Sequence, residues 1–337
     1  LNSGSGEIDL TTPYQLWFDS GDNNVKYHLK GSYLLPGAWS AVSSFNTARG
    51  QSGGFGENAS SGVISGGESP STTNATEEWN GTIWSAGGNL ITARFESSDS
   101  GAGTTNAGLV IGGATPTKIA CTEEYNGISF SEGGALSTAR MLGGSSGTQN
   151  AALHTAGATP STVTCNEEYN GTSWSSGGAL GNGRYMVSQA GTQNSTAVVG
   201  GYSATARTEI YNGSSFSDAA CVPTARFGAA TTGESSNSIF TAGGATPTIL
   251  GDSIHFDGTT WTHNANKICA TREAGKFGTA FSAINAGHKN PGISGYSSQY
   301  IAQYIPPFSC LLFGAWSAGG ATIVGGYSAR AGIQNSY

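Results

Sequence analysis

The chain has 337 residues, a formal net charge of −7 and only 10% charged residues, against about 25% in an average soluble domain. That balance gives no electrostatic reason to expect nucleic acid or an anionic membrane surface as a partner, and no apolar run approaches the ~20 residues of a membrane span. The 53 glycines suit short strands and many tight turns, while 7 Trp, 13 Tyr and 13 Phe, recurring in register, argue for a packed core over low-complexity disorder.

In chain order, residues 1–14 read as a leader or attachment segment. The stretch from Pro13 to His28 then reads as two strands around residues 19–24. Its turn, Asp19-Ser-Gly-Asp-Asn-Asn24, is rich in oxygen. It is too short for an EF-hand loop and lacks that loop's bidentate Glu, so a solvated turn is expected rather than a Ca²⁺ site.

From there a unit repeats. Its fullest copy runs from Thr164-Cys-Asn-Glu-Glu-Tyr-Asn-Gly-Thr-Ser-Trp174 to Leu180, and related copies contain Glu77-Glu78-Trp79-Asn80-Gly81, Glu123-Glu124-Tyr125-Asn126-Gly127, Tyr211-Asn212-Gly213 and Phe256-Asp257-Gly258. Asn-Gly and Asp-Gly tolerate positive φ, so each pair predicts a two-residue type I′ hairpin. An arginine ends each copy, at positions 49, 94, 140, 184, 226 and 272. A spacing of roughly 45 residues with four strands per unit is the signature of a β-propeller blade.

Within a unit, the residues after the arginine form the first strand. A Gly-Thr-Gln-Asn turn follows at 147–150 and 191–194, with a near copy at 103–106. The second strand ends in Gly-Gly or Ala-Gly, as at Gly66-Gly67, Gly112-Gly113 and Gly243-Gly244. An Ala-Thr-Pro loop leads to the hairpin, which supplies the third and fourth strands. Antiparallel order puts the Gly-Thr-Gln-Asn and Asn-Gly turns on one face and the proline loops on the other.

These features resemble the kelch repeat, with its strand ending in Gly-Gly, its Glu-Tyr pair and a tryptophan some residues on. The likeness spans about Trp39 to Tyr337, and departs from ordinary kelch units in its Asn-Gly turns and many small residues. This variety of repeat is similar to kelch-like proteins encoded by marine bacteriophages. The resemblance implies an all-β, kelch-like β-propeller over residues 15–337. Seven four-stranded blades are expected, with the ring closed by inner strands from 330–337 and outer strands from 15–41; six blades is the alternative. Trp39 and Trp316 sit in parallel contexts, Gly-Ala-Trp-Ser-Ala, at the two ends.

Candidate chemistry is sparse. Adjacent residues on a strand face opposite ways, so Glu77-Glu78, Glu123-Glu124 and Glu167-Glu168 do not form two-carboxylate catalytic units, and one member of each pair is expected to meet a repeat arginine or a backbone donor. The arginines themselves read as blade-to-blade ties. His28, His154, His255, His263 and His288 are scattered without metal spacing, and the five cysteines show no CxxC pattern and read as reduced, buried structural thiols. Asp257-Gly-Thr-Thr-Trp261 lacks the spacer of a sialidase Asp box, and the sequons at Asn80, Asn170 and Asn212 are by-products of turn chemistry. No catalytic, cofactor-binding or metal-binding residue and no cofactor is therefore expected.

The expectation for function is a non-enzymatic structural or adhesive protein at a virion surface, as a phage tail, fibre or capsid-decoration component. Its leader would contact other virion proteins, and a face of the propeller would meet solvent, a partner protein or a host-surface glycan, with no nucleic acid and no membrane insertion. The alternative is a propeller-type carbohydrate-active enzyme, an epimerase, lyase or oxidase, acting at the channel mouth.

Overall fold

A computed structural model of the protein describes residues 14–19, 24–29, 33–95, 99, 101–202, 205–289 and 292–305. The chain divides into two units, Leu34–Gln303 and a smaller one made of Leu1–Tyr33 with Tyr304–Tyr337. In the smaller unit, Tyr14–Asp19 pairs antiparallel with Asn24–Leu29 from Tyr14↔Leu29 to Asp19↔Asn24. The two strands read from sequence thus form a ribbon of their own. The leader of residues 1–14 (all but Tyr14), the turn between the two strands and residues 306–337 lie outside the described residues.

The larger unit is an all-β propeller of six four-stranded antiparallel blades. Blade 1 comprises Gly53–Asn58, Ser61–Ser65, Thr76–Trp79 and Trp84–Ala86. Blade 2 comprises Gly101–Thr104, Ala107–Ile111, Thr122–Tyr125 and Phe130–Glu132. Blade 3 comprises Gly144–Thr148, Ala151–Thr155, Asn166–Tyr169 and Trp174–Ser176. Blade 4 comprises Ser188–Thr192, Ser195–Val199, Thr208–Tyr211 and Phe216–Ala219. Blade 5 comprises Ala230–Ser235, Ser238–Ala242, Ser253–Phe256 and Trp261–His263. Blade 6 takes Gly275–Gly278, Ser282–His288 and Ser294–Ile305 from the far end of the repeat, and its outermost strand, Tyr33–Val42, from the near end. Each innermost strand packs beside the next, and the sixth returns to the first.

Seven blades is therefore corrected to six. The closing blade does combine early and late segments, which removes the free edges an open ring would expose. Its inner strands, however, are 275–288 rather than 330–337, and its early contribution is one strand. The anchor of the sixth unit is shifted by one residue. The backbone oxygens of Arg94, Arg140, Arg184 and Arg226 accept from Gly67, Gly113, Gly157 and Gly201, and in blade 6 that acceptor is Thr271, which takes the Gly244 N–H. Arg272 is one residue out of phase.

The Asn-Gly hairpins are also corrected. Strand pairing ends at Trp79↔Trp84, Tyr125↔Phe130 and Tyr169↔Trp174, which leaves four loop residues rather than two. Asn126 Oδ1 accepts from the Ile128 and Ser129 N–H groups at 3.0 and 2.9 Å, and Asp257 does the same for Thr259 and Thr260. The side chain itself closes the turn, and only the glycine, such as Gly127 with φ 89°, needs positive φ. The turns do share a face as expected: a Cβ added to Gly127 would lie 2.6 Å from Oδ1 of Asn106 in the first turn of the blade.

The apolar core lies between blades. Phe55 and Val63 of blade 1 pack with Val110, Tyr125 and Phe130 of blade 2, and Trp84 packs with Phe45 and Phe277 across the junction with blade 6. Trp39, on the early strand, clusters with Phe240 and Tyr300.

Candidate functional site

The paired carboxylates divide their work, as strand alternation requires. The first member points inward to the anchor arginine in Arg49–Glu77 at 2.6 Å, in Arg94–Glu123 and in Arg140–Glu167, and the single Glu209 of blade 4 meets Arg184 at 2.8 Å, all buried. The same carboxylates accept backbone N–H groups of the segment entering the blade, such as Ser137 to Glu167 at 2.8 Å and Ile91 to Glu123 at 2.7 Å. The arginines thus fasten each blade to its incoming connection, rather than one blade to the next.

The second member makes the tie between blades. The Tyr169 hydroxyl donates to Glu124 at 2.6 Å, the Tyr211 hydroxyl donates to Glu168 at 2.5 Å, and the Tyr125 hydroxyl donates to Glu78. Burial, reinforced by these carboxylates, pushes the Tyr125 and Tyr211 phenols up to about 12. The first turn adds a clamp that the sequence did not disclose. Gln149 Nε2 donates to the Gly108 and Tyr125 carbonyls of the preceding blade at 3.1 and 2.9 Å, and Gln193 repeats this with Ala152 and Tyr169. Trp174 Nε1 likewise reaches the Gly134 carbonyl of blade 2 at 2.9 Å.

The histidines remain apart. Burial, aided by the neighbouring Arg140, holds His154 well below the usual imidazole range, and its Nδ1 lies 2.8 Å from Ser145 Oγ. His255 pairs with Thr262 and His263 with Ile254, so these two histidines face opposite sides of their hairpin. No group of three or more His, Cys, Asp or Glu suited to a metal ion occurs among the described residues. Cys121, Cys165 and Cys269 are half-buried free thiols, and Cys221 is exposed, so burial of the thiols is corrected to partial.

Symmetry breaks at the axis. A cavity of about 100 Å³ is bounded by all six innermost strands, including Phe55, Ser146, Thr232 and Phe277. Its rim carries a glycine from each blade, among them Gly103, Gly147 and Gly278, at φ 100°, 96° and 115°. Position for position, the next residues inward from the rim include Gly54, Ser145, Gln189 and Lys276. Blade 2 has two extra residues between Arg94 and Gly101, compared with Arg140 to Ser145 in blade 3. That insertion carries Asp99, at φ 72°, to an ion pair with Lys276 Nζ at 2.6 Å.

Around this pair, the Gln189 N–H donates to Asp99 Oδ2 at 2.5 Å, the Ser145 N–H donates to the Asp99 carbonyl at 2.7 Å, and Lys276 Nζ donates to the Gln189 carbonyl at 2.7 Å. Lys276 Nζ also donates to the Thr231 carbonyl, so four blades, 2, 4, 5 and 6, are joined through two side chains. Burial pushes the Asp99 carboxyl up to about 7, with Lys276 opposing the shift.

A second departure sits in blade 6. Thr271 replaces the anchor arginine, Ser298 occupies the register of the inward glutamate, and Lys267 Nζ donates to Thr271 Oγ1. Burial lowers the Lys267 amine to about 7. Sequence reasoning passed over Asp99, Lys276 and Lys267. The signals available were the two-residue insertion and a lone charge within Gly275-Lys-Phe-Gly278.

In the propeller the repeated ionisable groups cement neighbouring segments, and one asymmetric ion pair joins blades 2 and 6 at a small axial cavity lined by Lys276. No protein-family model and no curated protein matches this chain.

Proposed function

We propose that the protein is a non-enzymatic structural or adhesive component of a bacteriophage virion, built on a kelch-type propeller, that meets other virion proteins or host-surface glycans. The kelch reading draws on Gly-Gly strand ends at positive φ, such as Gly112 and Gly113 at 60° and 96°, followed by Glu-Glu-Tyr on the third strand. The observation that carries the non-enzymatic reading is the employment of the repeated charges. In blades 2 and 3 each Glu-Glu pair is engaged on both sides, one residue by an arginine and the other by a tyrosine of the next blade. Such groups serve cohesion, and the hairpin face is left with exposed amides and hydroxyls such as Asn126 and Ser129. Mass spectrometry of purified phage particles tests the assignment. Detection of this chain at structural stoichiometry supports it, and absence from every particle overturns it.

The alternative, a propeller-type carbohydrate-active enzyme, draws on Lys276 lining the axial cavity with Asp99 against it. Turnover of an oligosaccharide that is abolished in Asp99→Asn would favour this reading over the first.

A further inference from the structure

Blade 4 departs from its neighbours in two ways at one place. The connection between its second and third strands, Gly201 to Thr208, is two residues shorter than Gly67 to Thr76, Gly113 to Thr122, Gly157 to Asn166 or Gly244 to Ser253. It is also the connection that has lost its proline. The residue after the glycines changes as well. Blades 2, 3 and 5 carry Ala114, Ala158 and Ala245, while blades 1 and 6 carry Glu68 and Lys289, which neutralise one another at 2.7 Å. Blade 4 carries Tyr202, 48% exposed.

Tyr202 is held by other rings. It bridges Tyr185 across the backbone and stacks on that ring at 4.9 Å and 30°. Phe227 of blade 5 meets it edge-on at 5.3 Å, and the Arg272 guanidinium lies 5.3 Å from the Phe227 centroid. The half-buried partners fix the ring plane, so little rotamer freedom remains to be lost on binding. A repeat that keeps alanine at three equivalent positions has here a braced, half-exposed aromatic, in the blade whose connection between second and third strands is shortened.

A flat ring with a polar edge matches a pyranose, which presents one face of C–H groups and a rim of hydroxyls; tyrosine supplies both the apolar face and the hydrogen-bonding edge. Charge selects among sugars. Arg272 lies 3.5 Å from Glu273, which balances it, and the chain's net charge of −7 opposes polyanions. We propose that Tyr202, braced by Tyr185 and Phe227, is a stacking platform for a neutral hexopyranose unit of a glycan. This rests on the adhesive reading above and gives it a location.

The test is an array of neutral hexopyranose and uronate-bearing glycans, probed with the full chain, Tyr202→Ala, Tyr202→Phe and Phe281→Ala. Phe281 is an exposed aromatic in the first turn of blade 6, on the opposite face. Thermal unfolding verifies that each variant is folded, and Tyr202→Gln replaces the alanine variant if that one is not. Neutral glycans should bind the full chain, with roughly tenfold weaker binding in Tyr202→Ala and retention in Tyr202→Phe and Phe281→Ala. Binding that survives Tyr202→Ala overturns the platform while leaving adhesion intact. Binding confined to uronates overturns the neutral class, and an array silent toward the wild-type chain removes the adhesive reading with the site.

Discussion

Blade 3 and blade 6 share one topology and are held by different means. Blade 3 follows the repeat: Arg140 and Glu167 bond in its interior, and Tyr169 reaches back to Glu124. Blade 6 has exchanged the arginine for Thr271 and the glutamate for Ser298, and left Lys267 buried nearby. What it gains is apolar: Trp39 packs on Tyr300 at 5.5 Å and Phe240 at 5.9 Å, and its indole N–H reaches Ser253 Oγ at 3.3 Å. The difference teaches that the motif is one solution to blade cohesion. Where an early strand must dock late, aromatic packing replaces the ion pair.

The largest effect that sharpens this contrast is expected in blade 3. Glu167→Gln leaves Arg140 charged and buried without its counter-ion, which should cost about 3–5 kcal/mol in denaturant unfolding. A loss under about 1 kcal/mol would mean that the pair is not the tie described.

In blade 6 and at the axis, the signature is pH dependence. Asp99 titrates near 7 in the folded protein, so between the ordinary carboxyl value and 7 the fold keeps a proton that the unfolded chain has released. Its contribution is therefore present at pH 4 and declines as pH rises to 7. Lys267 titrates near 7 rather than 10.5, so its contribution is present above pH 10.5 and is lost as pH falls to 7. Asp99→Asn should flatten the acid limb, and Lys267→Met the alkaline limb, of a melting-temperature profile, each by several degrees. Parallel profiles for wild type and variants would refute the assignment.

Smaller effects follow for the repeat's own fittings. Gln149→Ala strands two carbonyls of blade 2 and should cost about 1–3 kcal/mol. Asn126→Ala removes two hydrogen bonds in an exposed loop and should cost about 0.5–1.5 kcal/mol, since water can replace the lost acceptor. Reversal of that order in chemical unfolding would place the hairpin loop, rather than the clamp, at the centre of cohesion.

The period, the strand order and the sharing of faces by turns were legible because they rest on local chemistry: glycine at strand ends, asparagine in hairpins, and alternation along strands. The blade count was not, because the Gly-Ala-Trp-Ser-Ala context repeated at Trp39 and Trp316 and the segment from Arg330 read as one further closing unit, whereas the strand carrying Trp39 completes the sixth blade. The four-residue loops were misread because Asn-Gly serves a side-chain-closed turn as readily as a two-residue one. Asp99 and Lys276 meet across the axis from blades 2 and 6, and no sequence interval encodes that distance. Tyr202 was hidden for a different reason: a tyrosine after Gly-Gly looks ordinary until the equivalent positions are known to hold alanine.

The strand Tyr33–Val42 carries a kinetic consequence. It is translated before any other part of the ring, yet its partner, Ser294–Ile305, emerges from the ribosome only after five blades have been made. Trp39 thus waits as an unpaired apolar segment while 214 residues separate it from Ser253, its hydrogen-bond partner. Ring closure therefore waits for the strand Ser294–Ile305, and an arrested nascent chain ending short of residue 294 should remain protease-sensitive at its leading strand.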